Sequence, residues 1–191
     1  VKINGNIIIG QSGGPTAAIN SSLAGVFCGG KKFCDGKIYG MRNGVEGLLD
    51  ERIIELSDYI KSDRDVELLK RTPSSYLGSC RFKLPEPVKG NEVYEKLFSI
   101  FEKYNIKGFF YIGGNDSMDT VKKLSEYATF NGSDVRFIGV PKTIDNDLVI
   151  TDHTPGFGSA AKFVATVTKE LVRDGLVYEM ESVTIVEIMG R

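Results

Sequence analysis

Short apolar runs, each closed by glycine or polar turn residues, alternate along the chain with longer segments whose apolar residues recur every three or four positions. Residues 6–10, 37–41, 107–112, 135–140 and 182–188 read as buried strands. Residues 17–27, 91–104, 117–127 and 160–172 read as helices. The segment 91–104 shows the helical period most plainly, with Val93, Leu97, Ile100 and Phe101 on one stripe. Between 50 and 87 the pattern is less regular and richer in charge. It predicts one or two helices and a loop over 72–79, and the Pro-Glu-Pro at 85–87 reads as a turn rather than a linker.

Strands alternating with helices predict an α/β fold: a parallel, Rossmann-like sheet with helices on both faces, in three layers. Such sheets bind ligands beyond the carboxyl ends of their strands. The chemistry is therefore expected in the loops after Gly10, Ile112, Val140 and Ile188. The 191 residues suit one domain or a little more, with no internal repeat or low-complexity tract.

Composition narrows the function classes. A net charge of −1 gives no basic surface for nucleic acid or an acidic membrane, so any anion site must be built locally from loops and helix ends. No apolar run approaches the roughly 20 residues that span a bilayer, and residues 7–9 are too short for the core of a signal peptide. The three cysteines, Cys28, Cys34 and Cys80, match no zinc or redox spacing and suit free thiols in a reducing cytoplasm.

Four loops carry candidate chemistry. Gly10-Gln11-Ser12-Gly13-Gly14-Pro15 lies between a strand and a helix. Its glycines admit a ligand to backbone N–H groups, and the helix start favours an anion. It matches neither the Walker pattern nor G-x-G-x-x-G, and a plain strand-to-helix turn would look the same. Gly113-Gly114-Asn115-Asp116-Ser117 adds oxygen ligands suited to a hard cation such as Mg²⁺. Simple helix capping by Asp116 or Ser117 is the alternative, and Asp119 reads as a helix-end carboxylate. Pro141-Lys142-Thr143-Ile144-Asp145-Asn146-Asp147 holds a carboxylate able to take a hydroxyl proton and a lysine able to balance phosphoryl charge. Its alternative is a solvated Asx turn. Met189-Gly190-Arg191 ends in a planar fork suited to phosphate, although a lone arginine there is also an ordinary surface charge. Converged by one sheet, the four predict phosphoryl transfer with a metal, a base and a cationic clamp.

In this order, Gly-Gly-Pro-Thr-Ala-Ala-Ile-Asn, Gly-Gly-Asn-Asp-Ser, Pro-Lys-Thr-Ile-Asp-Asn-Asp, Thr-Pro-Gly-Phe-Gly-Ser-Ala and Met-Gly-Arg resemble the phosphofructokinase family over nearly the whole chain. The resemblance implies an amino-terminal donor-binding domain over 1–191, with a separate sugar-phosphate domain absent from these residues. Asp145 then matches the base that deprotonates the 1-hydroxyl of fructose 6-phosphate. Thr143, Ile144, Asp147, Met189, Gly190 and Arg191 match substrate contacts, and Gly13, Gly14, Arg81, Gly114 and Ser117 match donor-phosphate contacts. Asn115 and Asp116 match the metal position, with Asn115 standing where many members carry an aspartate.

The donor implied is pyrophosphate. ATP-using members carry glycine where this chain has Lys142 and Asp116. Asp116 sets bulk and negative charge where a nucleotide's α-phosphate would lie, and Lys142 adds a positive charge at the transferring group. The resemblance further implies Mg²⁺, a reversible reaction, and a homodimer or homotetramer in which a neighbouring subunit lends an arginine. These residues alone would then bind better than they turn over. An ATP-dependent member of the family, or a binding module that has lost turnover, are the competing readings. Of the remaining features, the single His153 reads as a structural hydrogen-bonder, Cys80 as an inert thiol beside Arg81, and Tyr39 as a core residue.

Overall fold

A computed structural model describes residues 2–14, 16 and 18–188. The elements follow in the order β1 (Asn6–Gln11), α1 (Ala18–Phe33), β2 (Ile38–Met41), α2 (Gly44–Leu49), β3 (Ile53–Glu55), a 3-10 turn (Leu56–Asp58), α3 (Asp63–Arg71), α4 (Glu92–Lys103), β4 (Ile106–Gly113), α5 (Asn115–Asn131), β5 (Arg136–Pro141) and α6 (Phe157–Gly175).

The strands form one sheet in the order β3-β2-β1-β4-β5. β2, β1, β4 and β5 run parallel, with Ile8 opposite Tyr39 on one side and Phe109 on the other. Alternation along β1 divides the core into two layers. Ile7 and Ile9 pack with Leu23 and Phe27 of α1 and Leu69 of α3. Ile8 packs on the opposite face with Leu97 and Phe101 of α4 and Leu124 and Tyr127 of α5. The helices therefore cover both faces, as the three-layer reading requires.

Three departures from the sequence pattern have physical causes. α1 runs past residue 27 to Phe33, through Gly29 and Gly30. Glycine weakens a helix interior, but a Cβ on Gly30 would stand 2.7 Å from Ile7 Cδ1 and 3.0 Å from Ile38 Cδ1. The missing side chain lets this helix lie close on the sheet. The second departure is β3, a three-residue edge strand antiparallel to β2, in the charged region where no strand was expected. It makes the sheet mixed rather than wholly parallel.

The third departure is a correction: residues 182–188 form no strand. Val183 and Ile185 are exposed, and β5 remains the last strand of the sheet. Branched apolar residues fit a pleated, half-buried surface, but the fit becomes a strand only where an edge accepts it. α6 likewise buries none of its residues. No helix among the described residues is long and apolar enough to cross a membrane.

Phe109 is fully buried in β4, and its ring lies 5.4–5.7 Å from those of Phe101, Tyr111 and Phe137. Phe109→Ala should lower the unfolding free energy by about 3–5 kcal/mol. Urea titration followed by circular dichroism measures the loss, and an unchanged midpoint would place the core elsewhere.

Candidate active site

The sheet order reverses direction at β1, which lies between β2 and β4. Chains leaving neighbouring strands on opposite sides open a crevice at such a switch point. The first turn begins there. Ser12 N–H donates to the Ile112 carbonyl at 2.9 Å, extending the pairing of β1 with β4 by one bond. Gly13 then takes φ of +78°, a conformation that favours glycine. A Cβ at Gly13 would stand 3.5 Å from Lys142 Nζ and 3.7 Å from the Gly114 amide nitrogen. Glycine therefore leaves open the space beside an ammonium group and a backbone N–H donor.

The second turn closes β4. A Cβ on Gly113 would collide with Ser117 Oγ and stand 2.9 Å from the Ser12 carbonyl oxygen, so the first two turns meet only because Gly113 has no side chain. Gly114 occupies the N-cap of α5, with no side-chain cap. Asp116 and Ser117 are thus inside the helix, and neither performs the capping that the sequence allowed. Ser117 lies buried beneath the turn, its hydroxyl without a hydrogen-bond partner among the described residues. Asn115 and Asp116 are exposed at the helix start, where the helix dipole suits a carboxylate. Asp116 faces Lys83 across 3.6 Å, an exposed and therefore weak pair.

The third turn follows β5. Lys142 N–H donates to the Gly113 carbonyl at 3.0 Å, joining it to the second turn. The Lys142 residue is only 6% exposed. Burial pushes its amine below the ordinary lysine range, and the Asp145 charge partly offsets the shift. Asp145 N–H donates to Thr143 Oγ1 at 3.0 Å. Asn146 adopts φ of +53°, which asparagine tolerates. Its Nδ2 donates to the Asp152 carbonyl at 3.2 Å, and its Oδ1 accepts from Thr154 N–H at 2.9 Å. Thr143 N–H donates to the Pro155 carbonyl at 2.9 Å, so the segment 152–156 braces the loop from behind.

The three turns share a cleft of about 290 Å³ lined by Gly14, Thr16, Gly114, Asn115, Lys142, Thr143, Ile144 and Asp145. A second hollow of about 400 Å³ shares Gly14 and adds Gly13, Ser79, Cys80 and Arg81. Ser79 Oγ donates to the Gly13 carbonyl at 2.6 Å and binds the two walls together. A larger hollow of about 520 Å³ lies at the other end of the sheet, near Ile106 and Val135 at the amino ends of β4 and β5. It touches none of the three turns.

Gly13, Gly14, Arg81, Gly114, Asn115, Lys142, Thr143, Ile144 and Asp145 thus meet around one crevice. Ser117 and Asp147 do not line it. Met189, Gly190 and Arg191 lie outside the described residues. Thr16, Ser79 and Asn146 are site residues that the sequence pattern did not single out. Only Asn146, inside a dense polar loop, carried a local signal, the turn tendency of asparagine. His153 is exposed, its ring 5.9 Å from that of Phe157. Tyr39 is half-buried and packs edge-on against Tyr104 at the margin of the core. The Cys80 thiol is buried, and burial raises its pKa. Backbone hydrogen bonds from Phe82 and Glu46, with the Tyr111 and Ser12 hydroxyls, outweigh that and leave it below the usual range.

The phosphofructokinase family model matches residues 6–191, and so takes in all three turns. The chain belongs to the phosphofructokinase family. The pyrophosphate--fructose 6-phosphate 1-phosphotransferase of Halomonas elongata is 42% identical over 97% of this phosphofructokinase-family chain and 45% of its own length. The ATP-dependent 6-phosphofructokinase of Glaesserella parasuis is 34% identical over 97% of this chain and 53% of its own. The crystal structure of pyrophosphate-dependent phosphofructokinase from Nitrosospira multiformis superposes with a TM-score of 0.80, at 44% identity over 88% of this chain and 41% of that one. The chain therefore spans about half the length of these family relatives, or less.

The buried lysine makes a prediction with a definite sign. An amine whose folded pKa is depressed binds fewer protons folded than unfolded. Lys142 should therefore add stability as pH rises from its depressed pKa to the ordinary 10.5. Urea midpoints across that window should climb in the wild type relative to Lys142→Met. Parallel pH curves for the two proteins would refute the burial argument.

Proposed function

We propose that this chain forms the phosphoryl-donor half of a diphosphate-dependent phosphotransferase that converts fructose 6-phosphate to fructose 1,6-bisphosphate and phosphate. One observation carries the reading: the bare backbone at Gly13 leaves a space beside both the Gly114 N–H and the Lys142 ammonium. Two cationic or donor groups around a glycine gap suit a compact polyanion. Two relatives named for pyrophosphate, at 42% and 44% identity, support this donor over the ATP-dependent relative at 34%.

In this scheme Gly13, Gly14, Gly114 and Arg81 bind diphosphate, and Asp145 accepts the proton of the sugar's 1-hydroxyl. The freed oxygen attacks the nearer phosphorus as the bridging P–O bond breaks and phosphate departs. The buried Lys142 offsets negative charge on the group in transfer, where low dielectric strengthens its effect. Thr143, Ile144 and Asp147 hold the sugar side, together with Met189, Gly190 and Arg191. Ser117 supports the donor turn from beneath.

No cluster of three metal-ligating His, Cys, Asp or Glu side chains occurs among the described residues. Asn115 and Asp116 nevertheless offer two neighbouring oxygen ligands at the strand end. That fits Mg²⁺, which is commonly held by one or two protein ligands and completed by phosphate oxygens and water. When bound, it would screen the phosphoryl charge. The remaining sugar-phosphate contacts come from elsewhere in a homodimeric or homotetrameric enzyme, and its three free thiols suit the cytoplasm.

The full-length enzyme should phosphorylate fructose 6-phosphate with pyrophosphate and use ATP poorly. Asp145→Asn should lower kcat by about 10²- to 10⁴-fold, the usual range for a general base. Equal turnover with ATP, or a fully active Asp145→Asn, would defeat the proposal. The donor choice has its own test: Asp116→Gly should tighten ATP binding, and unchanged ATP affinity would remove Asp116 from the discrimination.

A further inference from the structure

The Arg81 wall of the crevice is a loop without regular structure, yet it is held closely. Its backbone polar groups need partners, because the sheet and helices offer them no ladder. Two fully buried carboxamides supply those partners. Gln11, the last residue of β1, donates from Nε2 to the Ile19 carbonyl at 3.1 Å and to Asn20 Oδ1 at 3.0 Å. Its Oε1 accepts from Ser75 Oγ at 3.0 Å and Leu77 N–H at 2.8 Å. Asn20, in the first turns of α1, donates from Nδ2 to the Thr72 carbonyl at 2.8 Å and the Ser74 carbonyl at 2.7 Å. Its Oδ1 also accepts from Tyr76 N–H at 2.9 Å.

Every donor and acceptor of both amides is used. The backbone partners also fix which way each amide faces, since carbonyls must receive the NH₂ groups and N–H groups must meet the oxygens. The loop continues from this clasp to Ser79, bonded to Gly13, and to Cys80, whose carbonyl accepts from Ser12 Oγ at 3.3 Å. Arg81 follows directly. β1, α1 and the loop are thus locked in one register beside the donor turn.

We propose that Gln11 and Asn20 are positioning residues that set the place of Arg81, in a loop that the Ser79–Gly13 contact holds beside the donor turn, and through Arg81 the affinity for diphosphate. The proposal rests on the donor site assigned above. Neither amide lines the crevice, so the effect must pass through the loop. Buried amide networks of this kind are costly to break in part, because a half-satisfied network leaves groups unpaired at low dielectric.

The test is a double-mutant cycle in the intact protein. Asn20→Asp replaces the NH₂ group with an oxygen that faces the Thr72 and Ser74 carbonyls. It should weaken pyrophosphate binding, read by calorimetry, about tenfold, and should add little in an Arg81→Ala background. Ser75→Ala, which removes one of the four bonds to Gln11 together with the Ser75 Oγ bond to the Gly78 carbonyl at 2.7 Å inside the same loop, should act in the same direction with a smaller loss and remain folded. Cys80 provides a readout that needs no ligand: its labelling by a maleimide, mapped by mass spectrometry, should quicken in both variants. Wild-type affinity in folded Asn20→Asp would overturn the proposal, as would an equal loss with and without Arg81. If the wild type binds no pyrophosphate, the donor assignment fails, and the Cys80 rates alone then decide whether the clasp holds the loop. Unchanged rates would refute it.

Discussion

The crevice depends on backbone touching backbone. Gly113 has room for no side chain between the Ser12 carbonyl and the Ser117 hydroxyl, and its own carbonyl receives the Lys142 amide. Through that one residue the ends of β1, β4 and β5 come within hydrogen-bonding reach of one another. The parallel register brings the strand ends level, and the absence of a Cβ lets the turns close the remaining distance. The first two turns and the Lys142 backbone take their position from this contact, and the Ser79 bond ties the Arg81 loop to it.

Around it, the structure separates two tasks. Hydrophobic burial on the two sheet faces fixes the strands, and hydrogen bonds from buried polar side chains fix the loops between them. The loops owe little to their own propensities. Asn146 is braced from 152 and 154, and the 72–77 segment is braced by Gln11 and Asn20.

The parts of this arrangement that were legible in the sequence are those encoded locally. Glycine pairs after apolar runs marked the first two turns, and the polar cluster from Lys142 to Asp147 marked the third. Alternating strand and helix periods then placed all three at one end of a sheet. What stayed hidden depends on distant partners. Lys142 is buried beside the turns at Gly13 and Gly114, more than a hundred and about thirty residues away by the numbering. The continuation of α1 through Gly30 depends on Ile7 and Ile38, which leave no room for a side chain there. Residues 182–188 have the composition of a strand, and nothing in their own pattern says whether an edge receives them. The roles of Gln11 and Asn20 were similarly invisible, since a carboxamide in an apolar stretch gives no sign of what it will hold.

Lys142 also links the site to solvent protons. A shielded amine gives up its proton more readily than a surface one, and an arriving polyanion reverses that preference. Above the amine's depressed pKa, capture of the proposed diphosphate would therefore draw hydrogen ions from the medium, and release would return them. The heat of association would then depend on the ionisation enthalpy of the buffer that supplies the protons, so that the same molecular event looks less exothermic in a buffer of high ionisation enthalpy than in one of low ionisation enthalpy.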